Sequence, residues 1–238
     1  MAPGGPAPGT LEEGQVRAMF DRIAGPYDRM NSVMTAGLHH AWRERAVDLA
    51  AVAPGDEVLD VATGTGDLAL ALRRRVEPGG SVVGCDFSEA MLDRARAKDT
   101  RAGVRWRWAN AMALPDPDGR YAAATVGFGA RNFSDLEQGL REMARVVRPG
   151  GRVVVLEITT PQRPPLSWFF RAWFDRVVPA LGRVAGDSDA YGYLPSSVRR
   201  FPAADQLAAT MAGCGLTEVT WLLTAGGIIA IHAGRVPA

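Results

Sequence analysis

The chain predicts an α/β domain: one mostly parallel sheet with helices on both faces, finished by an antiparallel strand pair at its C-terminal edge. Three observations predict it. From Glu57 onward, short β-branched runs alternate with stretches of helical apolar spacing, the pattern of βαβ units. The first of these runs passes straight into Gly64-Thr65-Gly66 and then into "DLALAL", a strand, a glycine turn and a helix. The last two strand-like runs, "LTEVTWLL" and "GGIIAIHAGR", are too close in sequence for a crossover helix, so they must pair antiparallel.

In chain order, residues 1–12 begin with "MAPGGPAPGT", which has nothing to bury and reads as a disordered tail. Residues 13–50 read as helices broken at Gly25-Pro26, forming an N-terminal helical lid. Five strands follow, at residues 57–62, 81–86, 104–109, 121–128 and 151–158. The intervening "DLALALRRRV", "SEAMLDRARAK" and "SDLEQGLREMARVV" read as helices, with Ser88 and Ser134 as expected N-caps and Pro149-Gly150-Gly151 as the expected stop of the third. A helical insert over 160–200 precedes "ADQLAATMAGCG", a last helix, and the strand pair. A single domain over 13–238 is the expectation.

Composition narrows the class. With 27 basic and 26 acidic residues the net charge is +1, which speaks against nucleic acid as a partner. Cys85 and Cys214 form no CxxC, and with no secretory segment a reduced, cytoplasmic setting is expected. No apolar run reaches the ~20 residues of a membrane span. His39, His40 and His232 make no ligand set with the cysteines, so no metal is expected.

Gly64-x-Gly66-x-x-Ala69 fits the loose dinucleotide turn, and Asp86 ends the next strand where a carboxylate would accept from two ribose hydroxyls. These features alone admit either NAD or S-adenosylmethionine. Asp60 and Asp67 flank the turn, where they would repel a pyrophosphate and attract amino and sulfonium cations. Asn110, after the third strand, places an amide near the adenine edge. Together with the terminal strand pair, this favours S-adenosylmethionine over a nicotinamide cofactor.

Over roughly residues 16–236 the chain resembles the menaquinone/ubiquinone biosynthesis C-methyltransferases. The resemblance rests on "YDRMNSVMTAGLHHAW" (Tyr27–Trp42), "DVATGTGDLA", "FGARNFSD" (Phe128–Asp135), "RVVRPGGRVVVLEIT" (Arg145–Thr159) and "YLPSSVRRFP" (Tyr193–Pro202). It implies a Rossmann-like seven-stranded methyltransferase fold, S-adenosylmethionine as cofactor, and methylation of a ring carbon of a prenylated quinol. It places cofactor contacts at Thr65, Asp86, Asn110 and Ala111, beside Gly64 and Gly66. Two positions depart from the family pattern: Gly127 stands where a Ser usually precedes Phe-Gly, and Thr35 replaces a Ser. Demethylmenaquinol is the expected substrate, because a composition with Lys98 as its one lysine and abundant Ala and Gly suggests a GC-rich, actinobacterial-type genome. The ubiquinone pathway and a non-catalytic subunit of a quinone-synthesising assembly are the alternatives.

Such chemistry needs a ring oxygen deprotonated beside the attacking carbon and kept from water. Arg131 and Asn132, at the carboxyl end of the fourth strand, are the expected catalytic pair, with Arg131 holding the phenolate. Tyr27, Asp28, Asn31 and His39 are expected to lie over the quinol head, Tyr27 and His39 as catalytic candidates. Glu157 and Arg199-Arg200 are weaker candidates, and Arg73-Arg74-Arg75 a solvated helix end. In the insert, Leu166, Phe169, Phe170, Trp173, Phe174, Val177, Val178 and Leu181 make a broad apolar stripe, opposed by Arg171, Asp175 and Arg176. It is expected to pack on the domain and to offer a wall to a polyprenyl tail or to the inner face of the cell membrane. Peripheral membrane contact and a homodimer are both compatible with a chain of this kind.

Overall fold

The computed structural model describes residues 13–161, 164–177 and 188–238. The N-terminal tail, and Val178 and Leu181 of the stripe, lie outside the described residues. Three helices open the chain: α1 (Glu13–Ile23), α2 (Tyr27–Thr35) and α3 (Leu38–Ala50). Besides the expected break at Gly25-Pro26 there is a second at Ala36-Gly37, both in left-handed conformation (φ 49° and 77°). The alternating core follows as β1 (Glu57–Val61), α4 (Asp67–Val76), β2 (Ser81–Asp86), α5 (Glu89–Lys98), β3 (Val104–Trp108), β4 (Tyr121–Gly127), α6 (Leu136–Val146) and β5 (Val147–Ile158). After α7 (Leu166–Ala172) come α8 (Ser188–Arg200), α9 (Ala204–Gly213), β6 (Thr217–Thr224) and β7 (Ile229–Arg235).

The sheet has seven strands in the order β3-β2-β1-β4-β5-β7-β6. β1 to β5 run parallel, and β7 pairs antiparallel with both β5 and β6. The central parallel strands β1, β2 and β4 are covered on both faces and are mostly apolar: every residue of Tyr121–Val126 is buried. One apolar cluster joins α6, α9 and one sheet face through Tyr121, Leu140, Met143 and Met211; a second joins α3 and α4 to the other face through Val47, Leu68, Leu72 and Ile231.

Two expectations at α6 are corrected. Ser88 caps α5 through Met91 N, but at α6 the cap is Asp135, whose carboxylate accepts from Gln138 N at 3.0 Å, and not Ser134. Pro149-Gly150-Gly151 does not end the helix. The helix stops at Val146, and β5 begins at Val147 with a register shift opposite Tyr121–Ala123, where Pro149-Gly150 sits. Strand pairing overrides the local breaker signal there.

Candidate active site

Between β1 and β4 the strand order reverses, so the loops leaving them diverge and open a crevice at the carboxyl edge of the sheet. β1 delivers Ala62 to Gly66, β2 ends in Asp86, β3 leads to Asn110 and Ala111, and β4 leads to Phe128 through Asn132. Gly66 is required by geometry: its φ is +85°, and a Cβ there would stand 2.5 Å from the Trp106 ring.

A pocket at this edge is lined by Gly64, Thr65, Asp86, Asn110 and Ala111, with Asp60 and Asp67. Asp86 is buried; Oδ2 accepts from Gly64 N at 2.8 Å and Oδ1 from Ser88 N at 2.9 Å. Burial pushes its carboxyl up to about 6, against the pull of those backbone donors. The acid therefore shapes the glycine turn and still keeps a lone pair on each oxygen for a further donor. Asp60 is likewise pushed up to about 6 by burial, and its oxygens are taken by Thr63 (2.5 Å) and Thr125 (2.6 Å).

The expectation that Asp67 attracts the cations of the cofactor is corrected, because its charge is already met by cations of the protein. Lys98 Nζ lies 2.6 Å from it and Arg43 3.6 Å, and these cations hold it below the usual carboxylate range despite its burial. The lid also bonds to the edge itself. Thr65 Oγ1 donates to Asp28 at 2.5 Å, Ser88 Oγ to Asp21 at 2.5 Å, and Asn110 Nδ2 to Glu13 at 2.8 Å. Asp28 thus turns to the glycine turn and not to the quinol side.

A second, apolar cavity of about 400 Å³ opens beyond this pocket, within the range of small-molecule sites. Its wall carries Met34, Ile158, Phe170, Trp173, Phe174 and Leu194, and its polar atoms come from Tyr27, Asn31, His39, Arg43, Arg131 and Asn132. Phe20, Tyr27, Arg43, Phe128 and Asn132 line both spaces, so the two meet there. Of the expected stripe, Phe170 and Phe174 are buried against Val198, while Phe169 is 58% exposed; Trp168, outside the stripe, is 63% exposed.

Arg131 Nη1 donates to Glu157 Oε1 at 2.7 Å and to Phe128 O at 2.5 Å. Its Nε and the Asn132 Oδ1 are both buried without a hydrogen-bond partner, a donor and an acceptor on adjacent residues. Phe128 has φ +61°, a strained conformation for a bulky side chain, fixed by its N–H to Leu156 O at 2.7 Å. His39 is buried, accepts from Arg43 at Nδ1, and is pushed down to about 4 by that burial and then by the arginine charge. His39 was expected as a catalytic candidate over the quinol head; with its lone pair engaged by Arg43 and its pKa lowered, the ring is not placed to act as a base. Donor atoms of His39, His40 and Asp67 do lie within 4.8 Å of one another, but Arg43 and Lys98 are ion-paired with Asp67 and oppose a further cation.

Sequence reasoning missed Arg43, Lys98 and Phe128. The one available signal was the i, i+4 spacing of His39 and Arg43 on a helix.

The fold and the site define an S-adenosylmethionine-dependent methyltransferase. The chain belongs to the ubiE/COQ5 methyltransferase family, whose model matches residues 9–236. A demethylmenaquinone methyltransferase of Thermus thermophilus is 48% identical over 222 residues, 92% of this chain and 100% of that protein. The ubiquinone/menaquinone biosynthesis C-methyltransferase UbiE of Yersinia pestis is 40% identical over 228 residues, covering 94% of this chain and 91% of its own. A solved S-adenosylmethionine-dependent methyltransferase of Aquifex aeolicus shares the fold, with a TM-score of 0.62 and 16% identity, covering 95% of this chain and 100% of that one. The residues present fit that cofactor: Asp86, at the end of β2, retains acceptor capacity for ribose hydroxyls.

Proposed function

We propose that the protein methylates a ring carbon of demethylmenaquinol to give menaquinol. The observation that carries this is an apolar cavity that adjoins the cofactor-side pocket and takes its polar lining from Arg131, Asn132 and Tyr27. A quinol hydroxyl both donates and accepts, so it suits a wall that offers a guanidinium and an amide side by side. Asn132 accepts a hydrogen bond from the hydroxyl, and the Arg131 guanidinium stabilises the oxygen as its proton passes to a water; once the carbon has taken the methyl group, the hydrogen it carried is lost in turn and the ring regains its aromaticity. Glu157 holds the guanidinium in place and offsets part of its charge, so the stabilisation comes from a directed hydrogen bond more than from net charge. Tyr27, which lines both spaces, covers the ring and keeps water from it. The cofactor, when bound, supplies an electrophilic methyl group on a sulfonium. Gly64, Thr65, Gly66, Asp86, Asn110 and Ala111 are assigned to hold it.

The prenyl tail is assigned to the wall of Phe170, Trp173 and Phe174. Near the cavity, Val33, Leu38, Leu166, Trp168 and Phe169 are exposed, Val33 at 72%, and Leu38 and Phe169 also line it. That distribution supports peripheral contact with the lipid surface in which such tails reside. No described helix is long and apolar enough to cross a membrane.

Turnover of short-chain demethylmenaquinol and of the corresponding demethylubiquinol tests the reading, with product mass and methyl position determined. Ring-carbon methylation of the naphthoquinol is expected. An O-methyl product, or none, overturns it.

A further inference from the structure

Arg43 lies on α3, 8% exposed, where the two spaces meet. Its Nη1 donates to His39 Nδ1 and, at 3.2 Å, to His39 O. Because Nδ1 accepts, the His39 ring proton sits on Nε2, which faces Ser32 Oγ at 3.2 Å. Ser32, His39 and Arg43 thus form a chain that fixes the guanidinium. Its Nη2 stands 3.6 Å from Asp67, outside hydrogen-bond range, and Asp67 is already bonded by Lys98 at 2.6 Å. Donor capacity is left over on Arg43.

Arg131 holds the Phe128 carbonyl, whereas the Arg43 Cζ lies 5.5 Å from the centre of the Phe128 ring. Both arginines line the apolar cavity together with Phe128, so a flat aromatic substrate there meets two guanidinium groups. We propose that Arg43, oriented by His39, binds the second ring oxygen of the quinol, para to the one held by Arg131 and Asn132. The site then selects rings carrying two oxygens. The assignment rests on the quinol reading above. It makes His39 a positioning residue, which suits an imidazole whose lone pair is already used.

The test compares 1-naphthol with 4-methoxy-1-naphthol, one ring oxygen against two, by fluorescence titration with S-adenosylhomocysteine present so that no methyl is transferred. A hydrogen bond to a charged donor sets the expected wild-type preference for the methoxy probe at about tenfold. Arg43→Met is expected to abolish that preference while leaving 1-naphthol binding nearly unchanged, and Arg131→Met to weaken both probes alike. Arg43→Lys is expected to keep only part of the preference, since a single ammonium lacks the planar fork. If a folded Arg43→Met keeps the full preference, or the wild type has none, the proposal is overturned. If Arg43→Met does not fold, Arg43→Lys and His39→Leu decide, and an undiminished preference in both overturns it. Failure of the wild type to bind either naphthol counts against the quinol reading itself; binding of both without discrimination removes only the role of Arg43.

Discussion

Replacing Asp86 with Ala is expected to weaken S-adenosylmethionine binding about a hundredfold. Each oxygen keeps a lone pair beyond its bond to Gly64 N or Ser88 N, and each hydrogen bond to a charged group is worth ~1.5–3 kcal/mol. Water entering the truncated site recovers part of two such bonds, leaving ~3 kcal/mol, or roughly a hundredfold in affinity. Asp86→Asn is expected to fare little better. Whichever way the amide is turned, its NH2 faces a backbone N–H that now donates to a carboxylate oxygen. The acid also predicts a pH dependence. With its carboxyl pushed up to about 6 by burial, the unliganded protein is largely protonated there at pH 5 and ionised at pH 7.5. Ribose hydroxyls favour the ionised form, so affinity is full above pH 6 and is lost as pH falls, by about tenfold per unit well below that value. Calorimetric titration of wild type and both variants at pH 5, 6 and 7.5 reads this directly. Asp60, also pushed up to about 6, lines the same pocket, so any slope surviving in Asp86→Asn belongs to Asp60. Affinity of Asp86→Ala within threefold of wild type, or the whole slope surviving in Asp86→Asn, refutes the assignment.

Asp116→Ala should destabilise the fold by ~2–3 kcal/mol, below the ~3–5 of a fully buried pair because Arg107 and Arg120 are 29% and 28% exposed. Its carboxylate accepts from both arginines and from Tyr121 at 2.7 Å, so chemical denaturation with an unchanged m-value is the check. Gly66→Ala should cost ~1–3 kcal/mol of stability, as a positive φ and the Trp106 ring both oppose a Cβ; unchanged Tm would contradict the turn geometry. Phe170→Ser with Trp173→Ser should raise KM for long-tailed quinols more than for a tail-free analogue, and equal effects on both would return the stripe to the domain core. Trp168→Ser with Phe169→Ser should reduce flotation with anionic lipid vesicles while leaving Tm within a degree or two, since both side chains are exposed.

The sheet was legible in the sequence because burial on both faces makes the central parallel strands mostly apolar, and the antiparallel finish followed from a connection too short for a crossover. Asp86 and the glycine turn were legible because their roles depend on local spacing. The cap of α6 and the start of β5 were not: Ser134 and Asp135 are equivalent by residue type, and only backbone direction selects Asp135. Asp67 was misread for a different reason. Its charge is set by Lys98, 31 positions away, and Arg43, 24 positions before it, and no local pattern announces such partners. His39 was singled out correctly as a cavity residue, yet its protonation depends on Arg43, which spacing alone does not reveal.

The lid follows the same logic. α1 contributes a small apolar anchor, Val16 and Met19 packed against Tyr193. Among its other attachments are polar ones at the sheet edge: Glu13 to Asn110, Asp21 to Ser88, with Asp28 of α2 to Thr65. Each of those three partners stands at the edge that receives the cofactor. Exchanging such bonds for bonds to a ligand or to water changes the free energy little, because the net worth of a hydrogen bond is ~0.5–1.5 kcal/mol. Opening α1 exposes little apolar surface, whereas opening the sheet exposes two fully packed clusters. The free energy of local unfolding is therefore lowest at the lid and highest beneath it, which gives a rigid sheet edge its exact placement of Asp86 and Asn132 while leaving a way in.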